Sequence, residues 1–405
     1  MWLLSTNGLQ LVHFHSPDVV PGGYAILSHV WQGAEQSFSD IQLLISQNSS
    51  LRDPFVSVKI KETCYIAFNH GYDWVWIDTC CIDKSSSAEL SEAINSMFEW
   101  YSKAQVCYAY LHDVPHSCHI HAPNSSFRKS KWFTRGWTLQ ELIAPRYLIF
   151  LSSDWLPLGT KSALADLVQD ISGVDVDVLT FTRDVTNVSV ARRMSWASRR
   201  FTTRLEDEAY SLMGIFAINM TTMYGEGAGA FRRLQEEILR HTDDHTLFAW
   251  GKMFEGPDVP PGLVTDTQDL TNYLFAPSPS AFKNSAHMCP APPSAVATAM
   301  KTFFPQEIDV EYVRFQAYHS VSCSHHPTCR LPHSSRSLLS VSAVISQLLT
   351  AAYMRSPSST VKMITTVSSA LSYISEQKAG GVSLIIMSVP RLCRTYPRSR
   401  VPCCP

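Results

Sequence analysis

Short apolar and aromatic runs alternate, along the first 250 residues, with longer segments whose apolar positions repeat at helical spacing. Runs of this length that are rich in β-branched and aromatic residues are typical of buried strands. The predicted strands are 24–31, 74–78, 106–111 and 147–151, and the predicted helices are near 38–47, 55–70, 88–104 and 131–143. Strands buried on both faces that alternate with helices predict an α/β fold with a mostly parallel, flavodoxin-like sheet and flanking helices.

The clearest helix is predicted for residues 88–104. Ser86 stands three residues before Glu89, which is the spacing of a capping box at a helix start. Apolar residues then recur on one face of the segment: Leu90, Ala93, Ile94, Met97, Phe98, Tyr101 and Ala104.

The predicted second half is helical, with helices within 155–177 and over 204–216 and 226–240, and it closes at TLFAW (246–250). After residue 250 Pro, Ser and Asp become frequent and periodicity weakens. We therefore expect one domain over 1–250, with a core at 20–150 and a helical continuation at 151–250. Two interpretations of 251–405 stay open: a poorly ordered, irregular extension, and an artefact of an incorrect gene model.

Composition excludes several classes of protein. The chain has 405 residues, 45% of them hydrophobic and 17% charged, so it can bury a large core. A net charge of −2 gives no basic field for nucleic acid or anionic lipid. No apolar run reaches the length of a membrane span, and eleven cysteines without a secretory leader favour reduced thiols. We expect a soluble, cytoplasmic protein that binds no nucleic acid.

Polar residues follow the first two predicted strands. In open α/β sheets, ligands bind beyond the carboxyl ends of the strands. The candidate pocket residues at these ends are Ser28, His29, Asp78, Cys80, Asp83 and Lys84. The alternative is structural, because an Asp at a strand end often caps the next helix and a Cys is often a small buried apolar residue.

A histidine-rich loop is the other candidate for chemistry. It contains His116, Cys118, His119 and His121. Their spacing fits no standard zinc pattern, so no metal site is predicted.

Five blocks of sequence resemble a known family in its order of motifs. They are YAILSHVW, DWVWIDTCCIDKSSSAELSEAINSMFEWYSKAQVCYAYLHDV, SKWFTRGWTLQELIAPR, MSWASRRFTTRLEDEAYSLMGIF and YGEGAGAFRRLQEEIL. They resemble the fungal heterokaryon incompatibility (HET) domain family, in its vegetative-incompatibility subgroup. The resemblance implies a role in fungal non-self recognition, in which the domain triggers programmed cell death after incompatible cells fuse.

HET domains in turn resemble Toll/interleukin-1 receptor (TIR) domains, whose enzymatic members cleave NAD. AILSH resembles the first-strand motif of TIR domains, and WTLQEL (137–142) resembles the helix that carries their catalytic glutamate. This resemblance makes Glu141 the candidate catalytic acid, NAD the candidate substrate and Trp137 a candidate for stacking on a base. The alternative for Glu141 is a surface carboxylate paired with Arg135 or Arg146.

Two functional hypotheses follow, and the sequence leaves enzymatic activity open. In the first, the domain is a signalling adaptor that works by self-association or by binding protein partners, through its charged strand ends and an arginine-rich stretch: Arg192, Arg193, Arg199, Arg200 and Arg204. In the second, it is a TIR-like NAD glycohydrolase that uses Glu141 and needs no other cofactor.

Overall fold

The computed structural model describes residues 1–242, 244–251, 253–255, 275–290 and 383–385. The chain divides into two units, one of Met1–Asp244 with Pro277–Ala286 and one of His245–Ala276 with His287–Pro405. The predicted site residues all lie in the first unit. Most of the predicted extension 251–405 lies outside the described residues.

The first unit is built on a seven-stranded mixed sheet with the order β2-β1-β4-β3-β5-β6-β7. The strands are β1 (Trp2–Ser5), β2 (Leu11–His13), β3 (Ala25–His29), β4 (Trp74–Trp76), β5 (Val106–Tyr110), β6 (Leu148–Leu151) and β7 (Pro157–Thr160). The central strands β4, β3, β5 and β6 run parallel to one another. The pairs β1–β2, β1–β4 and β6–β7 are antiparallel. The prediction of an α/β fold with a mostly parallel sheet is confirmed.

Ten α-helices lie within the described part of the first unit. They are α1 (Phe38–Ser46), α2 (Val58–Asn69), α3 (Ser87–Lys103), α4 (Ser126–Lys129), α5 (Thr138–Ile143), α6 (Ala165–Ser172), α7 (Val176–Leu179), α8 (Val190–Ala197), α9 (Asp207–Tyr210) and α10 (Gly229–His241). The parallel strands, taken in chain order, are arranged 2-1-3-4, which is the order in which flavodoxin-like sheets begin.

Helix α3 follows the predicted pattern. The Ser86 hydroxyl accepts a hydrogen bond from the backbone N–H of Glu89, at 3.3 Å, and caps the helix. The buried side chains are Ala93, Ile94, Met97, Trp100 and Tyr101. The Trp76 ring of β4 meets the rings of Trp100 and Tyr101 at centroid distances of 5.7 and 5.8 Å, so this helix covers the centre of the sheet.

The prediction of one helix over 204–216 is wrong. The segment contains the four-residue α9 and a separate 3-10 turn, Met213–Phe216. Gly214 packs so closely against α3 that a Cβ there would lie 2.1 Å from the Cβ of Phe98. The turn ends at Ala217, whose φ of 54° is left-handed. Packing against α3 therefore overrides the helical periodicity of the sequence.

The sequence pattern also misses the antiparallel edge strands. β1, β2 and β7 have only three or four residues each, and β7 contains Pro157 and Gly159, which are unfavourable in strands. Within the segment 155–177, predicted as helical, only α6 and the start of α7 are helix. In the second unit, the described strands Met253–Glu255 and Ser383–Ile385 form an antiparallel pair.

Candidate functional site

The carboxyl ends of the parallel strands bring the predicted polar residues together. His29, the last residue of β3, is in register with Tyr110 of β5. Asp78 lies two residues beyond the end of β4, beside His29. Because successive strand residues point to opposite faces of a sheet, Ser28 and His29 begin two separate clusters.

The inner cluster consists of Ser28, Trp132 and Glu141. Trp132 Nε1 donates a hydrogen bond to Ser28 Oγ at 2.7 Å, and Ser28 Oγ donates to Glu141 Oε2. Only 5% of Glu141 and 1% of Trp132 are exposed, and Ser28 is fully buried. The alternative prediction for Glu141, a surface carboxylate paired with Arg135 or Arg146, is therefore wrong.

Burial determines the protonation of Glu141. Removal from water raises its pKa to about 8, and the negative charge of Asp78 acts in the same direction. Interactions with Ser28 and Tyr101 oppose this rise but do not cancel it. The carboxyl therefore holds a proton through most of the neutral range.

Arg200 connects the inner cluster to the helical second half. Its Nη1 donates to the backbone oxygen of Arg135 at 2.9 Å and to Thr138 Oγ1 at 3.0 Å, which fixes the start of the fully buried helix α5. Its Nη2 is buried and has no hydrogen-bond partner among the described residues. Burial lowers the pKa of Arg200 to about 9, although the charge of Glu141 favours the protonated form.

The outer cluster surrounds Asp78 and consists of His29, Trp31, Glu35, Lys59, Asp78 and Lys84. His29 Nε2 lies 2.8 Å from Asp78 Oδ1, and Trp31 Nε1 donates to Asp78 Oδ2 at 2.7 Å. Burial alone would raise the pKa of Asp78, but interactions with His29 and Lys84 outweigh that effect and lower it. Asp78 is therefore ionised while Glu141, behind it, is protonated.

Lys59 fixes the tautomer of His29. Its ammonium lies 2.9 Å from His29 Nδ1 and also pairs with Glu35. Since an ammonium group only donates hydrogen bonds, Nδ1 is the acceptor and Nε2 carries the hydrogen that is donated to Asp78. The imidazole is thus held between a cation and an anion.

The outer cluster reaches solvent at Trp31 and Lys84. Trp31 is 50% exposed, and the Lys84 ammonium lies 3.8 Å from the centroid of its ring, a cation–π arrangement. Burial lowers the pKa of Lys84, while the charge of Asp78 acts in the opposite direction. This part of the strand edge presents an aromatic ring and a cation to solvent.

The remaining predicted residues lie apart from these clusters. The Cys80 thiol is fully buried, and a hydrogen bond with Cys81 together with burial raises its pKa well above the ordinary value. Asp83 accepts hydrogen bonds from the backbone N–H and the hydroxyl of Ser85, so it shapes the turn before α3. Trp137 is hydrogen-bonded to Asp207. Burial raises the pKa of the Asp207 carboxyl, and the hydrogen bond with Trp137 acts against that rise.

The arginine-rich stretch is divided between the interior and the surface. Arg193 is buried and donates to the backbone oxygen of Ile215 at 3.0 Å, so it is not available to a contact surface. Arg192 is partly exposed and pairs with Asp175, and Arg199 and Arg204 are exposed, so the predicted contact surface stays a prediction for them.

Sequence reasoning did not place several residues in the clusters, among them Trp31, Lys59 and Arg200. Arg200 and Lys59 are 59 and 30 positions away from the residues they hold, Glu141 and His29, so no local pattern connects them. Trp31 had a usable signal, because it follows His29 by two residues at the same strand end.

Comparison with known proteins identifies the region that contains most of this site. Residues 24–124 match the family described as heterokaryon incompatibility protein (HET). This segment is therefore similar to HET domains. The match includes Ser28, His29 and Asp78, whereas Trp132, Glu141 and Arg200 follow it in the chain.

A curated relative is similar to this chain over a longer stretch than residues 24–124. The chain is 43% identical over 220 residues to "Vegetative incompatibility protein HET-E-1" of Podospora anserina. The match covers 53% of this chain but only 16% of the relative. Residues 229–314 match a domain of unknown function, DUF8212, which crosses the predicted boundary at residue 250. No solved structure matches the chain, so the TIR resemblance stays a prediction.

Over the ranges that the structure describes, no group of three or more His, Cys, Asp or Glu side chains is arranged to hold a metal ion. In the same ranges, no helix combines the length and apolar character needed to cross a membrane. A small cavity beside α3 is lined by residues such as Met1, Trp2, His13 and Trp100, away from both clusters.

Proposed function

We propose that this HET domain acts in fungal vegetative incompatibility, as a signalling domain that triggers programmed cell death. The support is the 43% identity to a relative whose name states a role in vegetative incompatibility. The domain works by contact with protein partners or with other copies of itself. Residues 1–244 form the functional unit, because Arg200, far beyond the family match, fixes the helix that carries Glu141.

The burial of the inner cluster favours a function in protein contacts over an enzymatic function. A catalytic carboxyl must come within hydrogen-bond reach of its substrate. Glu141 is 5% exposed and its partner Ser28 is fully buried, so a dinucleotide does not reach the carboxyl in this conformation. The outer cluster, in contrast, exposes Trp31, and aromatic residues are enriched at protein interfaces.

Expression in a fungal host tests this proposal. The full chain, produced from an inducible promoter, is expected to reduce viability, and Trp31→Ala is expected to suppress that loss at equal protein level. Tyr147→Ala, at another exposed aromatic residue, is the matched control and should kill like the wild type. No loss of viability with the wild-type chain, or equal killing by Trp31→Ala, would contradict the proposal.

NAD cleavage by Glu141 is the second candidate. The place of Glu141 at the carboxyl edge of the sheet, where Ser28 donates a hydrogen bond to it, favours this candidate. In such a reaction the bond between nicotinamide and ribose breaks and nicotinamide leaves, while water supplies the hydroxyl of the ribose product and releases a proton to solvent. An ionised carboxylate stabilises the oxocarbenium-like transition state, so Glu141 must first lose its proton. The activity requires α5 and Trp132 to move and open a path to the carboxyl.

Nicotinamide release separates the two candidates. The full chain is incubated with NAD, and Glu141→Gln is the matched variant, since glutamine has the shape of the protonated carboxyl. Release that Glu141→Gln abolishes would establish the second candidate. The contact proposal predicts no release above the buffer control.

A further inference from the structure

Helix α2 carries a row of exposed apolar residues that the proposed clusters do not use. Val58, Tyr65 and Phe68 lie on one face at helical spacing and are 66, 64 and 51% exposed, and Phe55, just before the helix, is 78% exposed. The opposite face is buried and includes Ile60, Thr63, Cys64 and Ala67. A surface helix normally exposes polar residues on the face away from the core. We call Phe55, Val58, Tyr65 and Phe68 the α2 row.

The α2 row is large enough to be an interface. A fully exposed aromatic side chain offers about 150–250 Å², so the three rings expose on the order of 400 Å² in one copy. Exposed apolar patches of this size on a monomer are often functional. Two such faces and their rims, buried against each other, approach ~1,200 Å², the lower end for specific complexes.

Charges beside the row indicate its occupant. Lys61 and Glu62 flank the line from Val58 to Tyr65 on its two sides, and both are partly exposed. In two parallel helices related by a two-fold axis along the helix direction, each flank brings Lys61 of one copy beside Glu62 of the other. An antiparallel pair would place like charges together. The face is therefore complementary to itself in one arrangement.

We infer that a second copy of this chain binds the α2 row, forming a two-fold dimer through parallel α2 helices. The inference rests on the proposed signalling function, in which copies of the domain associate. The modest area makes the dimer weak and dependent on concentration, with a dissociation constant in the micromolar range (about 1–100 μM). The fraction of dimer then depends on the local concentration of the protein in the cell.

Sedimentation of the full chain tests the dimer directly. Between about 1 and 100 μM the wild-type chain is expected to shift from monomer to dimer. The double variant Tyr65→Ser/Phe68→Ser should stay monomeric over that range. Tyr147→Ser is the matched control, because Tyr147 is also 64% exposed but lies outside α2. It should dimerise like the wild type, and thermal unfolding verifies that each variant is folded.

Charge exchange tests the parallel arrangement. Lys61→Glu places two acidic side chains together on each flank and should weaken the dimer by about tenfold or more. Adding Glu62→Lys restores opposite charges across the interface and should return the dissociation constant to within about threefold of the wild type. A double variant as weak as Lys61→Glu would overturn the parallel pair.

The result is separable from that of the proposed function. A wild-type chain that stays monomeric, or a dimer that survives Tyr65→Ser/Phe68→Ser, would overturn the α2 inference even where the chain kills the host. A chain that dimerises as described but leaves the host viable would support the α2 inference and contradict the proposed function.

Discussion

Ser28 and His29 are neighbours on one strand, yet they belong to regions of opposite character. On the Ser28 side, the inner cluster is closed to water and holds a protonated carboxyl. On the His29 side, the outer cluster holds an ionised carboxylate and reaches solvent through Trp31. The alternation of a β-strand thus lets one strand end stabilise the core on one face and present a surface on the other.

Removal of the Ser28 hydroxyl should destabilise the inner cluster. Ser28→Ala leaves Trp132 Nε1 without its acceptor and removes one of the hydrogen bonds that Glu141 accepts, both in a buried environment. Each unsatisfied group costs about 1–3 kcal/mol, so the free energy of unfolding should fall by about 3 kcal/mol. Chemical denaturation measures this change. Ser102→Ala, at an exposed serine, should change it by less than about 0.5 kcal/mol, and an equal loss in both variants would contradict the assignment.

The pH dependence of stability should reveal the protonated carboxyl. Glu141 titrates at about 8 in the folded state and at its ordinary value of 4.5 when unfolded. Between these values the folded state binds more protons, so its stabilising effect is complete below pH 4.5 and is lost as the pH rises to about 8. The slope approaches about 1.4 kcal/mol per pH unit.

Glu141→Gln should flatten that slope, as denaturation at several pH values below 7 will show. Lys161, whose pKa burial lowers to about 7, contributes a slope of opposite sign above that pH. The difference between wild type and variant isolates the contribution of Glu141. Identical slopes in the two proteins would mean that the carboxyl is ionised in the folded state.

Loss of the Lys59 ammonium should have a smaller effect, confined to the outer cluster. Lys59→Met keeps the aliphatic stem but leaves Glu35 and His29 Nδ1 without their donor. Both side chains are only partly buried, so we expect a loss of about 1–2 kcal/mol in the free energy of unfolding. Lys129→Met, at an exposed lysine outside α2, is the control. A loss as large as that of Ser28→Ala would show that the outer cluster is as important for stability as the inner one.

Trp31→Ala should have the smallest effect on stability. Half of the ring is exposed, and removing it costs Asp78 one hydrogen bond from a side that water reaches. We expect the free energy of unfolding to change by less than about 1 kcal/mol, as measured by denaturation. A larger loss would place Trp31 in the structural core rather than on a contact surface.

The sequence predicted the central strands and α3 because long apolar periods and a cap are local signals. It predicted the approach of His29 to Asp78 through the general rule for strand ends, and it named Glu141 through resemblance to a family. It did not predict that Glu141 is buried, since the partners that close over it, Trp132 and Arg200, come from separate elements. Contacts between residues distant in the chain leave no local periodicity.

The edge strands and the segment 204–216 show a second limit of prediction from sequence. Three-residue strands such as β2 carry too few positions for an alternating pattern. In the segment 204–216, the contact of Gly214 with Phe98 decides the backbone, and that contact depends on the finished fold. Asp83 followed the simplest expectation, because it shapes the turn before a helix.

The most direct test of the central claim compares one variant from each cluster in the same fungal host. Viability is measured after induction of the full chain carrying Glu141→Gln or Trp31→Ala, with protein levels matched. If the inner cluster is structural and the outer cluster is the contact surface, Glu141→Gln kills like the wild type and Trp31→Ala does not. Survival with Glu141→Gln and killing by Trp31→Ala would contradict the account and place the activity at the buried carboxyl.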